Sequence, residues 1–260
     1  MKNSWVLLLI LGFASTHAAI QDKEIVYQDG DTVLKGYLAY DDIYKGKRPA
    51  VLVVHEWWGH NDYARKRARM LAGLGYTALA VDMYGDGKQA SHPDDAGKFA
   101  GEAKKNMNTA RTRFLSAMNL LTNQSTVNPD KVAAIGYCFG GGIVLEMARM
   151  GVDLDGVVSF HGSLTTRTPA EKGKIKSRIL VMNGADDPFV TKEQIDTFKK
   201  EMHKAGADFK FINYPGAKHS FTNPDADTYG KKFNLPLQYN AEVDRKSWSR
   251  MQEFFKEIFQ

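Results

Sequence analysis

Short apolar runs punctuate the chain at Ala50–Val54, Thr77–Val81, Val132–Tyr137, Gly156–Phe160, Ile179–Met182 and Phe209–Tyr214. Runs of that length without alternation predict strands buried on both faces. Between them the apolar positions recur at helical spacing. Asn61–Leu74, closing at Gly75, is one predicted helix, and Asp94–Leu121 is either two helices or one bent helix. Further helices are predicted over Gly140–Met150, Lys192–Ala205 and Ala241–Phe259. Val33–Tyr40 alternates weakly and predicts a strand in a hairpin with Glu24–Gln28. Strands alternating with helices predict an α/β fold, a mostly parallel central sheet with helices on both faces. No internal repeat or low-complexity linker interrupts the pattern, so residues 19–260 read as one domain.

The first residues follow a different pattern. Lys2 precedes an apolar stretch through Phe13, and small residues end it at Ala18-Ala19. This is the layout of a secretory signal peptide over residues 1–18, with cleavage after Ala19 as the alternative. The stretch is too short to span a bilayer, and no later segment is long and apolar enough. The expectation is an exported protein, periplasmic or secreted, with about 240 residues in the mature chain. Formal net charge is +5, and losing Lys2 leaves 5 − 1 = +4. The densest basic run is Arg65-Lys66-Arg67 with Arg69. Ala64, Ala68, Leu71 and Leu74 fall between these residues at helical spacing, so the run reads as the solvated face of a helix. No basic patch carries interleaved aromatics, and no nucleic-acid partner is expected.

Cys138 is the single cysteine. It lies in Gly136-Tyr137-Cys138-Phe139-Gly140, between a predicted strand and a predicted helix. A nucleophile flanked by glycines at such a junction is the nucleophile elbow of the α/β-hydrolase fold, here with sulfur in place of the usual hydroxyl. The following helix points its free amides at the sulfur, which favours thiolate. A lone thiol in an exported chain cannot form an internal disulfide and risks oxidation. In this fold the acid and the histidine follow the nucleophile in that order, after later strands. Asp187 follows Ile179–Met182, with Asp186 as the fallback, and His219 follows Phe209–Tyr214. The oxyanion donors fall by position on the backbone N–H groups of Phe139 and Trp57.

Four motifs in register resemble the dienelactone hydrolase family from about Ile25 to the C-terminus. They are His55-Glu56-Trp57-Trp58-Gly59, Gly136-Tyr137-Cys138-Phe139-Gly140-Gly141, Gly184-Ala185-Asp186-Asp187-Pro188-Phe189-Val190 and Tyr214-Pro215-Gly216-Ala217-Lys218-His219-Ser220-Phe221. The resemblance implies a hydrolase of small esters or lactones with Cys138, Asp187 and His219 as triad. It also implies that Glu56 modulates the nucleophile by holding the resting thiol; the alternative is a plain ion-pair partner. Trp58, Tyr84 and His161, with Trp57, are candidate pocket residues. Archetypal members clamp a substrate carboxylate with two arginines. The matching regions here, Asp82–Lys88 and His219–Pro224, carry none, leaving Lys88 or Arg167 as candidate substitutes. No metal or cofactor is expected, since His55 and His60 are five apart after a strand, not four apart on a helix. The other classes considered are a thiol redox sensor or binding protein on the same scaffold, and an acyltransferase using the same triad.

Overall fold

A computed structural model describes residues 20–260. The expected signal peptide, with both cleavage positions, lies outside the described residues. The described elements are β1 (Ile20–Asp29), β2 (Thr32–Asp41), β3 (Arg48–Val54), α1 (Asp62–Ala72), β4 (Thr77–Val81), α2 (Pro93–Lys105), α3 (Met107–Thr122), β5 (Val127–Tyr137), α4 (Phe139–Arg149), β6 (Gly156–Phe160), β7 (Arg178–Gly184), α5 (Lys192–Ala205), β8 (Phe209–Tyr214), α6 (Ala226–Phe233) and α7 (Ala241–Ile258). Eight strands form one sheet in the order β1-β2-β4-β3-β5-β6-β7-β8. β1 and β2 form an antiparallel hairpin, and β2 also meets β4 antiparallel. Every other pairing is parallel.

The fully apolar strands are explained by cover on both sides. On β3, Ala50, Leu52 and Val54 pack with α3 and α4, while Val51 and Val53 face the opposite core, which α1 and α7 cover. β5 splits the same way, Val132 and Ala134 to one face, Ala133 and Ile135 to the other. Because the parallel strands share one direction, the loops after β3, β5, β7 and β8 gather at one edge of the sheet.

Local chemistry sets several boundaries. Asn106 ends α2, and its side chain accepts the Thr109 N–H to start α3, so the long helical pattern becomes two helices. α5 opens on a capping box between Thr191 and Gln194 and closes on left-handed Gly206. α1 begins at its Asn61 cap, as the pattern indicates, but ends at Ala72.

Two expectations for α1 are corrected. Leu74 lies beyond the helix and is 37% exposed. Arg67 is not on a solvated face; its side chain is 3% exposed. It follows Tyr63 by one helical turn and so shares the buried stripe. α7 packs against that stripe and supplies Asp244, whose Oδ1 is 2.6 Å from the guanidinium. Arg67 also donates to Thr222 O at 2.7 Å and to the Tyr63 hydroxyl at 3.2 Å.

α6 was not foreseen. Its eight residues carry Gly230 mid-helix and only a short stripe of Ala226, Tyr229 and Phe233, so the segment reads as loop. The tertiary context supplies what periodicity lacks, because Tyr229 stacks on Trp58 with ring centroids 4.5 Å apart. Among the described residues no helix is long and apolar enough to cross a membrane.

Candidate active site

Cys138 sits between β5 and α4 with φ 53° and ψ −113°, outside the conformations a side chain prefers. Hydrogen bonds hold it there. Its N–H is shared between Phe160 O at 3.0 Å and His161 Nδ1 at 3.1 Å. The neighbouring glycines are fixed by close approach. A Cβ at Gly136 would lie 2.1 Å from Gly140 O, and one at Gly140 would lie 2.3 Å from Val54 O.

The loops after β7 and β8 bring the other two residues to the sulfur. His219 Nε2 is 3.1 Å from Cys138 Sγ, and His219 Nδ1 is 2.8 Å from Asp187 Oδ2. Asp187 Oδ1 accepts the Phe189 N–H at 2.8 Å, which orients the carboxylate. Asp187 is buried and Asp186 is exposed, so the fallback acid is not the partner. Backbone bonds from Ala185 N to Tyr214 O and from Asp186 N to Ala217 O lock the two loops together. Burial, the largest influence, disfavours charge on His219. The Cys138 sulfur and the Asp187 carboxylate outweigh it and raise the imidazole to about 10.

Phe139 is the first residue of α4, so its N–H has no acceptor within the helix. Among the described residues neither that N–H nor the Trp57 N–H donates a hydrogen bond to the protein.

Glu56 is placed differently from the expectation. Its carboxylate accepts from Ser220 Oγ at 3.0 Å and Asn223 Nδ2 at 2.6 Å. The sulfur is bonded to His219 instead, and no ion pair to Glu56 occurs among the described residues. The physical reason is the position of the loop after β8, which interposes Ser220 and Asn223. Glu56 thus ties that loop to the β3 end. Burial raises its pKa, against the pull of its two donors and of His219 and Arg67.

The cavity over the sulfur has a volume of about 340 Å³. Trp57, Phe139, Phe189, Val190, Leu235 and Leu237 supply most of its wall, with Ala100, Lys104 and Ser163 completing it. Three candidate pocket residues are not on that wall. Trp58 is buried under α6. Tyr84 packs on His55 and Phe139 and donates its hydroxyl to Trp57 O at 3.0 Å; it borders a separate depression with Lys88 and Arg113. His161 is fully buried behind the elbow, with Nε2 donating to Thr222 Oγ1 at 2.7 Å. Arg167 lines a neighbouring groove, so neither candidate substitute for the missing arginines faces the sulfur. The sequence assigns no pocket role to Phe189, Leu235 or Leu237. Their one signal was an apolar residue inside otherwise polar loops.

The site stands on buried neutral histidines. Burial lowers His55, His60 and His161, the second to about 3 with help from His55 and Arg65. The unfolded chain protonates each near 6.5, whereas the folded chain does not, so their stabilising contribution is present above that pH and lost as pH falls. His219 acts oppositely; its contribution is full below 6.5 and lost as pH rises through about 10. Glu56, being raised, offsets part of the acid loss. Urea unfolding is expected to show a stability maximum near neutral pH. Going from pH 7 to pH 5 costs about 2 kcal/mol through His60, and His55 and His161 act in the same direction. An unchanged midpoint at pH 5 would contradict this.

Comparisons with known proteins agree with the fold. A sequence profile of the dienelactone hydrolase family matches residues 34–259. The solved structure named m3DLH is 40% identical, covering 93% of this chain and 100% of its own, with a TM-score of 0.88. A dienelactone hydrolase-like promiscuous phosphotriesterase from metagenomic libraries is 37% identical, covering 92% and 99%, with a TM-score of 0.85. Protein usf from Aquifex pyrophilus is 29% identical, covering 90% of this chain and 97% of its own. With a strand-to-helix elbow on an eight-stranded sheet and a profile match over most of its length, the chain belongs to the dienelactone hydrolase family, hydrolases of carboxylic esters and lactones on the α/β-hydrolase fold.

Proposed function

We propose that the chain cleaves small carboxylic esters or lactones through Cys138, His219 and Asp187, by way of a thioacyl-enzyme. The observation that carries this reading is the 3.1 Å separation of Cys138 Sγ and His219 Nε2. His219 takes the thiol proton, and the thiolate attacks the substrate carbonyl carbon. The oxyanion is held by the Trp57 and Phe139 N–H groups, the kind of stabilisation that dominates such reactions. The C–O bond to the leaving group breaks as His219 Nε2 returns a proton to the alkoxide. Water then gives a proton to His219 and attacks the thioester. Collapse expels the sulfur and releases the acid.

Acylation also prepares the second step. Once the sulfur carries an acyl group, its charge no longer supports the imidazolium. Burial then favours the neutral ring, which is the base that water needs. Asp187 keeps the ring in the Nδ1–H tautomer throughout. Glu56 acts on the nucleophile indirectly, by fixing Ser220 next to His219. His161 is a positioning residue, since Cys138 N–H, His161, Thr222 and Tyr63 form one hydrogen-bonded chain between the elbow and the His219 loop.

The oriented base favours hydrolysis over a redox sensor, which needs no general base. Acyl transfer differs only in the acceptor and is read by product analysis with added alcohol. The 37% identical phosphotriesterase makes phosphotriesters the second substrate class to assay. The leader-like residues 1–18 place this activity outside the cytoplasm in our reading. The mature protein is expected to turn over a short-chain aryl ester and to lose that activity after iodoacetamide treatment. Undiminished activity in the alkylated protein would sink the proposal.

A further inference from the structure

The wall over the sulfur is chemically one-sided. Trp57 comes from the β3 loop, Phe189 and Val190 from the loop after β7, and Leu235 and Leu237 from the connection between α6 and α7. Among the described residues lining the cavity there is no arginine, aspartate or glutamate. Lys104 is its one lysine, an exposed residue on α2.

The leucine wall is rigidly tied to the base. Leu237 pairs with His219 in a parallel bridge, and Gln238 N–H donates to His219 O at 3.1 Å. Gly230 of α6 lets the helix lie directly on this segment, since a Cβ there would be 2.8 Å from Leu237 O. A substrate that reaches the sulfur therefore meets leucine side chains on a backbone fixed to His219, together with Trp57 and the half-exposed Phe189. Burying an unpaired carboxylate against such side chains is strongly unfavourable, whereas an apolar group gains from leaving water. The neighbouring groove beyond Ser163 has the opposite character. Lys105, Arg167 and Glu146 line it, and the Glu146 carboxylate is already held by Arg149.

We infer that the substrates of this site are esters or lactones with an uncharged, apolar body, selected by the wall of Leu235, Leu237 and Phe189. The inference rests on the hydrolase reading above and narrows its substrate class. Two matched pairs of esters test it, each differing only in one charged group. The first is 4-nitrophenyl hexanoate against the 4-nitrophenyl monoester of adipic acid. The second is phenyl acetate against 4-carboxyphenyl acetate, which places the charge on the alcohol side. After subtraction of spontaneous hydrolysis, kcat/KM is expected to favour the neutral member of both pairs by at least tenfold. Leu237→Arg, or Leu235→Lys should the first variant not fold, is expected to narrow the gap by about tenfold through loss on the neutral ester. An anionic member that matches or outruns its neutral partner in either pair overturns the inference, and loss of that preference in Lys104→Met would trace it to the lysine.

Should no ester be turned over, the hydrolase reading fails by itself, and alkylation still decides the wall. Cys138 is treated with N-benzyl iodoacetamide and its 4-carboxybenzyl analogue, and adduct formation is followed by mass spectrometry. Faster reaction with the neutral reagent supports an apolar-selecting wall. Equal or faster reaction with the carboxylate overturns it.

Discussion

Cys138→Ala is expected to lower kcat/KM on an aryl ester by about ten-thousand-fold or more, with the melting temperature unchanged. The sulfur supplies the bond-forming electron pair, and no other thiol exists in the chain to replace it. The fold should not suffer, because Cys138 is a half-buried side chain whose turn is held by backbone bonds and flanking glycines. His219→Ala removes both the proton acceptor and the proton donor and is expected to cost about a thousandfold or more. The two losses should not add, since nucleophile and base act as a unit. A double variant with a rate close to that of Cys138→Ala alone is the expected result. Near wild-type turnover by Cys138→Ala would remove the sulfur from the mechanism.

Gly140→Ala should have a large effect on stability. Its Cβ would be placed 2.3 Å from Val54 O and 2.6 Å from His55 O. Both obstacles are backbone atoms of a central strand end, so neither can swing aside as a side chain tip can. The Gly140 N–H also donates to His55 O at 3.1 Å, and that bond must stretch as α4 is pushed from the sheet. A loss above about 4 kcal/mol is expected, with little folded protein recovered. Gly97→Ala is the control. Gly97 lies on an exposed stretch of α2 with open space around it, and alanine there is expected to stabilise by up to about 1 kcal/mol. Urea unfolding of both variants reads the contrast, and a wild-type midpoint for Gly140→Ala would contradict the packing described for the elbow.

The sheet was legible because its strands are buried on both faces. β4, β6 and β8, and helix α5, have the ends read from sequence, since each is bounded by a glycine, a turn or a cap. β3, β5 and β7 extend further than their apolar cores, because polar residues such as Arg48 and Arg178 can pair at strand ends. The positions of Cys138, Asp187 and His219 were legible for a topological reason, as loops at the carboxyl ends of parallel strands converge. The surroundings were not. Arg67 looks like a surface cation until α7 brings Asp244 against it. His161 looks like a pocket residue until its two ring nitrogens are seen bonded to the elbow and to Thr222. Leu235 and Leu237 sit after a helix whose stability comes from stacking on Trp58, a contact between residues far apart in sequence. Local pattern carries the strand and the turn; it does not carry partners supplied by distant segments.

The central claim is that Cys138 carries the acyl group during turnover. Rapid mixing of enzyme with excess 4-nitrophenyl ester, acid quench and peptide mass analysis test it directly. The expected result is an acyl adduct on the peptide containing Cys138, absent from Cys138→Ala, whose fractional occupancy equals the size of any nitrophenol burst. Steady turnover with the sulfur of Cys138 unmodified at every quench time, or with the acyl group on another residue, would contradict the account.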